Sequence, residues 1–70
     1  MQDIELNKRI GKNIFCFRER KGIERKAFAT YLGIHISYVT KIEKGYNRPP
    51  LEKLILLRKL FNCTLDELVD

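Results

Sequence analysis

Seventy residues carrying a net charge of +5 leave room for a single domain, 1–70, that buries about 60% of the surface its unfolded chain exposes, so an elaborate active site is not expected. No run of about 18 apolar residues occurs, and residues Met1 to Glu5 lack the basic-then-apolar order of a secretory signal, so the expectation is a cytoplasmic protein away from membranes. Two cysteines, Cys16 and Cys63, and the single histidine, His35, offer neither a disulfide framework nor a zinc spacing, so reduced thiols, no metal and no cofactor are expected.

Apolar residues recur at three- and four-residue steps and no stretch alternates with period two, which predicts an all-α fold. The first helix runs from about Asp3 or Ile4 to Lys21, with Ile10, Ile14 and Phe17 on one face, and Gly22 stops it. A second spans about Arg25 to Leu32, burying Phe28, Ala29 and Leu32, and ends at Gly33. A third follows from about Ile36 to Lys44, points Val39 and Ile42 inward, and closes at Gly45. Residues Tyr46 to Pro50 form a loop, because two prolines disfavour helix just before them. A fourth helix covers about Leu51 to Phe61, with Leu51, Leu54, Ile55, Leu57 and Phe61 assigned to the core and Asn62 as a left-handed cap. Thr64 and Glu67, three residues apart, form a capping box that opens a short fifth helix. No internal repeat, linker or low-complexity tract is visible.

The charge is uneven along this order. From Lys8 to Arg48 there are eleven Lys and Arg against Glu19, Glu24 and Glu43, a balance of +8, while both flanking segments are slightly acidic. That half of the chain either faces an anionic partner or is a generally basic solvated surface. A membrane surface fits poorly, since the positive half has no long helix with a continuous apolar stripe.

Two short helices joined by a tight glycine turn form a helix-turn-helix when their packing residues fall at the right offsets. Counting Arg25 as one, Ala29 is fifth, Gly33 ninth, Ile34 tenth, Val39 fifteenth and Ile42 eighteenth. Ala29 is small enough for the third helix to cross close to it, Val39 and Ile42 anchor against Phe28 and Leu32, and Ile36, Ser37, Thr40, Lys41 and Lys44 are left outward. With these offsets, the run Ile10-Gly11-Lys12-Asn13-Ile14, the ending Lys41-Ile42-Glu43-Lys44-Gly45, the Asn47-Arg48-Pro49 loop and Leu65-Asp66-Glu67-Leu68, the sequence resembles the phage-repressor, Cro-like (Xre-like) family of helix-turn-helix DNA-binding domains. The resemblance covers Ile10 to Leu68. It implies a compact five-helix, lambda-repressor-like domain, motif about 25–44, whose third helix enters the major groove of double-stranded DNA.

By the same resemblance, base edges are met by Ile36, Ser37, Tyr38 and Lys41. Ser37 can donate or accept, and Lys41 can reach guanine O6 and N7. Ile36 packs on a thymine methyl or tucks beneath the second helix, and Tyr38 touches a base or stacks on the sugar-phosphate backbone. Phosphates are expected at Arg25, Thr40, Lys44, Asn47 and Arg48, helped by the N–H groups opening the second helix. Arg25 stands where the family commonly has Gln. Glu24 and His35 stand where it commonly caps with Ser or Thr, and both are weaker caps; His35 is either a phosphate contact or a turn residue without a role. Arg18 and Glu43 resemble a partly buried ion pair of several family members, the alternative being two exposed charges that never meet.

One recognition helix reads few base pairs, so a homodimer on a two-fold symmetric operator is expected. With no second domain expected, this domain itself has to pair. Leu56 and Leu60, assigned to the outside of the fourth helix, would form the interface with Leu65 and Val69; Phe15 and Cys16, usually polar in the family, make a second apolar surface. The function read from the sequence is a stand-alone repressor or controller protein, with a protein-interaction or antitoxin-like module as the alternative. No small-molecule effector site is evident, and no catalytic set can be assembled that would make the chain an enzyme.

Overall fold

In the computed structural model, which describes residues 3–70, five helices follow one another: α1 (Ile4–Arg20), α2 (Arg25–Leu32), α3 (Ile36–Glu43), α4 (Leu51–Phe61) and α5 (Leu65–Val69). The Asp3 carboxylate accepts from the Leu6 N–H at 3.1 Å and starts α1. Thr64 and Glu67 complete the capping box that starts α5. Helices α1 to α4 all end in one way. In each, the residue in or next to the left-handed position closes a short bond while the next residue reaches back five: Gly22 to Glu19 and Ile23 to Arg18, Gly33 to Thr30 and Ile34 to Ala29, Gly45 to Ile42 and Tyr46 to Lys41, Asn62 to Lys59 and Cys63 to Arg58. This pair of hydrogen bonds satisfies carbonyls the helix end would otherwise leave bare. Asn62 takes it at φ 52, the one non-glycine with positive φ among the described residues. Lys21 and Lys44, expected as last helical residues, are instead the C-caps.

The core joins all five helices through Ile10, Ile14, Phe28, Ala29, Leu32, Val39, Ile42, Leu57, Phe61 and Leu68. Phe61 stacks on Phe17 and on Phe28, ring centroids 5.1 and 5.8 Å apart. Polar bonds then fasten the elements. Asn13 Nδ2 donates to the Leu68 carbonyl at 2.9 Å and Arg9 Nε to the Val69 carbonyl at 3.2 Å, holding α5 on α1. Lys53 Nζ donates to the Leu32 carbonyl at 2.6 Å, placing a cation at the C-terminus of α2. Among the described residues no helix is long and apolar enough to cross a membrane.

Helix α4 departs from the sequence expectation. Leu51 and Ile55, assigned to the core, are 63% and 39% exposed. Leu56 and Leu60, assigned to the outside, are half-buried against the core, as is Val69. The helix is apolar nearly all round, so its periodicity does not say which stripe turns inward. Packing decides, with Leu57 and Phe61, four residues apart, pointing straight into the core and Leu56 and Leu60 flanking them.

Candidate nucleic-acid interface

The site is assembled around α3, so what holds α3 is part of the site. Gly11 lies where α1 crosses the end of α3: a Cβ there would collide with the carbonyl oxygens of Ile42 and Glu43, the latter at 2.8 Å. Only hydrogen permits that approach. Gly45 repeats the device from the other side, at φ +82 with its face against the backbone and side chain of Lys8.

Arg18 and Glu43 form the ion pair that bridges α1 and α3. Arg18 Nε donates to Glu43 Oε2 at 2.6 Å and its Nη2 to Oε1 at 3.3 Å, with both side chains buried. Its Nη1 donates to the Ile23 carbonyl at 2.7 Å and to Glu19 at 3.3 Å. The bond to Glu43 raises the pKa of the guanidinium, outweighing the opposite effect of burial. Arg18 is thus held as a permanent cation, spent on the scaffold rather than presented outward.

Ile36, Ser37, Lys41 and Lys44 stand exposed on α3 and its cap, Ile36 at 42%. Thr40 is half-buried, and Tyr38 is half-buried and packed against the core, leaving only part of its ring to the surface. Arg25, exposed at the start of α2, has its Nε 3.5 Å from Glu43 Oε1 and so leans toward α3. Together with Ile36 it lines an open depression whose other walls include Phe15 and Ile23. In the loop after α3, Asn47 and Arg48 are half-buried, and Arg48 Nε donates to the Oδ1 of buried Asn7 at 2.8 Å. Arg25 and Lys26 thus open α2, Lys41 and Lys44 lie on α3 and its cap, and Arg48 lies in the 46–50 loop, while further basic residues line α1. Leu65, 37% exposed, lies apart on α5.

The two cap positions differ. Glu24 makes no side-chain cap bond, leaving the first N–H groups of α2 without that acceptor. His35 does cap: its Nδ1 accepts from the Ser37 N–H at 3.1 Å. A histidine in this place is therefore not idle, since an unprotonated imidazole nitrogen accepts as a hydroxyl oxygen does. Reasoning from residue preferences missed that role, and also missed Asn7 as the brace of the loop. The latter left one signal, an uncharged Asn among apolar neighbours on α1.

Comparison with known proteins follows the same outline. A family model described as "Helix-turn-helix" matches residues 17–68. The HTH-type transcriptional regulator AnsR of Bacillus subtilis (strain 168) is 42% identical over 52 residues, 74% of this chain, and the chain spans 45% of that relative's length. The uncharacterized HTH-type transcriptional regulator YazB of the same organism is 34% identical over 58 residues, covering 83% of this chain and 84% of the relative. The crystal structure of the restriction-modification controller protein C.AhdI from Aeromonas hydrophila superposes with TM-score 0.76 at 26% identity, over 91% of this chain and 96% of that one. The clp gene regulator ClgR of C. glutamicum superposes with TM-score 0.79 at 19% identity, over 90% and 82%, a likeness of fold.

Proposed function

Because the chain belongs to the helix-turn-helix family, we propose that it is a sequence-specific transcriptional regulator that binds double-stranded DNA as a homodimer, with α3 in the major groove. The observation that carries this reading is the exposed face of α3, where Ile36, Ser37 and Lys41 stand outward on a helix locked from behind by Gly11 and the Arg18–Glu43 pair. A reading helix must offer hydrogen-bonding and apolar side chains at a fixed height.

In this reading Ile36, Ser37 and Lys41 meet base edges, and the exposed part of Tyr38 reaches the adjacent backbone. Arg25, Lys44, Asn47 and Arg48 hold phosphates, with Thr40 at the margin, and the first N–H groups of α2 add their dipole. Glu43 and Asn7 aim Arg25 and Arg48, so less side-chain freedom is lost when they engage. Pairing of two copies brings two α3 helices to half-sites about one helical turn apart. Exposed Leu51 and Ile55, one turn apart on α4, and Leu65 at the start of α5 are among the exposed apolar side chains that could serve that contact.

The test is selection of bound duplexes from a random DNA pool. A two-fold symmetric motif is the expected outcome. Recovery of unenriched sequence, beside capture of a protein by the same chain, would replace this reading with that of an interaction module.

A further inference from the structure

His35 and Ser37, at the start of α3, are joined in a way that determines which half of a hydroxyl faces outward. The Ser37 backbone nitrogen, 3.1 Å from His35 Nδ1, carries a hydrogen and can only donate. Nδ1 is therefore the unprotonated nitrogen of the ring, and Nε2 bears the proton. Ser37 Oγ lies 2.8 Å from that same Nδ1. An oxygen lone pair turned toward the unprotonated nitrogen at this distance would be repelled, so the hydroxyl hydrogen lies between them and Ser37 donates inward, its hydroxyl and its backbone N–H sharing the single Nδ1 lone pair. A hydroxyl has one proton and two lone pairs. With its proton taken, exposed Ser37 has only acceptor capacity left for anything that approaches from solvent.

We infer that Ser37 reads DNA as an obligate hydrogen-bond acceptor, selecting an exocyclic amino group in the major groove, N6 of adenine or N4 of cytosine, over the carbonyl oxygens O6 of guanine and O4 of thymine. The inference rests on the DNA-binding reading above and deepens it. Those amino groups are the donors that base edges offer there, and the carbonyls are acceptors. Two acceptors brought together in a desolvated groove repel, so turning one base pair over would set a carbonyl against the Ser37 lone pairs. His35 is the positioning residue, because it caps α3 and takes the proton in the same contact. The bond inward also polarises the oxygen, which strengthens it as an acceptor.

Every base pair carries one amino and one carbonyl group in the major groove, so a selected sequence alone does not test the claim, and single atoms have to be removed. The position read by Ser37 is the one whose preference disappears in Ser37→Ala after selection from a random duplex pool. At that position, replacing adenine by purine, or cytosine by 2-pyrimidinone, removes the amino group. Wild-type affinity for this duplex should fall by about fivefold more than that of Ser37→Ala, the equivalent of one net hydrogen bond, while weakened base pairing affects both proteins alike. Removing the carbonyl instead, with 5-methyl-2-pyrimidinone in place of thymine or 2-aminopurine in place of guanine, should leave the two proteins equally affected. In His35→Gly, where glycine still serves as a cap, the freed hydroxyl can turn round, and the extra penalty for amino deletion should shrink. The inference is overturned if the carbonyl deletion carries the coupling, if Ser37→Ala changes no position, or if His35→Gly keeps the full amino penalty. A wild type that enriches no duplex at all removes the DNA-binding reading with it, whereas enrichment with any of the other results removes only the polarity of Ser37.

Discussion

Taking away Arg18 leaves the buried Glu43 carboxylate only the longer contact to exposed Arg25, and taking away Glu43 leaves the buried guanidinium only exposed Glu19 and the Ile23 carbonyl, so the two single substitutions should be far worse than the pair's net value suggests. Arg18→Met or Glu43→Leu is expected to destabilise by about 3–5 kcal/mol, while the double variant recovers much of that loss; thermal unfolding of all three measures the coupling. Lys41 is the opposite kind of residue, exposed on α3. Lys41→Ala should leave unfolding nearly unchanged yet cost on the order of 1–3 kcal/mol of affinity at one base position; equal loss on unrelated DNA would class it with the phosphate contacts. At Cys63, burial and then the charge of Glu67 push the thiol pKa up against the weaker pull of Arg58. The thiolate is the reactive form, so alkylation of Cys63 in the folded protein should require higher pH than in the denaturant-unfolded chain. The sign for stability follows: the unfolded thiol ionises first, so this contribution is whole below the unfolded pKa and lost as pH rises through the folded one.

At the scale of elements, the rotation of α4 sorts leucines that look alike in the sequence. Leu57→Ala should destabilise by about 2–5 kcal/mol, whereas Leu51→Glu, at an exposed site, should stay within about 0.5 kcal/mol; chemical denaturation distinguishes the two. Helix boundaries are legible in the sequence because their causes are local: Gly22, Gly33, Gly45 and Asn62 permit the left-handed turn, and Thr64 with Glu67 closes a cap. The rotation of α4 is not, because seven of its eleven residues are apolar and two of them, Leu51 and Ile55, lie on the exposed side among Glu52, Arg58 and Lys59. The outward set on α3 is legible from the helix-turn-helix offsets, but Tyr38 shows how far spacing goes, since its ring turns back against the core. The bonds that Asn13 and Lys53 donate, and the one Asn7 accepts from Arg48, join partners distant in sequence, which no local pattern contains.

For the whole molecule, three phosphate-neutralising residues per subunit, Arg25, Lys44 and Arg48, predict a slope of log affinity against log salt near −5, at about 0.9 per phosphate for six contacts. A slope shallower than about −2 would remove this picture of binding. Self-association should appear in sedimentation below about 1 mM and be abolished by Leu51→Glu together with Ile55→Glu with helicity intact, since each carboxylate would be desolvated in the interface. Leu56→Glu and Leu60→Glu should instead disturb the monomer itself, because both side chains pack on the core.

The contact at Gly11 also bears on time. With the α1 backbone resting on the carbonyls of Ile42 and Glu43, the end of α3 cannot lift away unless α1 leaves with it. The amide protons of Val39 and Ile42 should then exchange with solvent only in the same openings that release Ile10 and Ile14, rather than by independent fraying of a short helix. A reader that is already still when it meets its target loses little backbone entropy on docking, and it has correspondingly little slack with which to accommodate a wrong base pair.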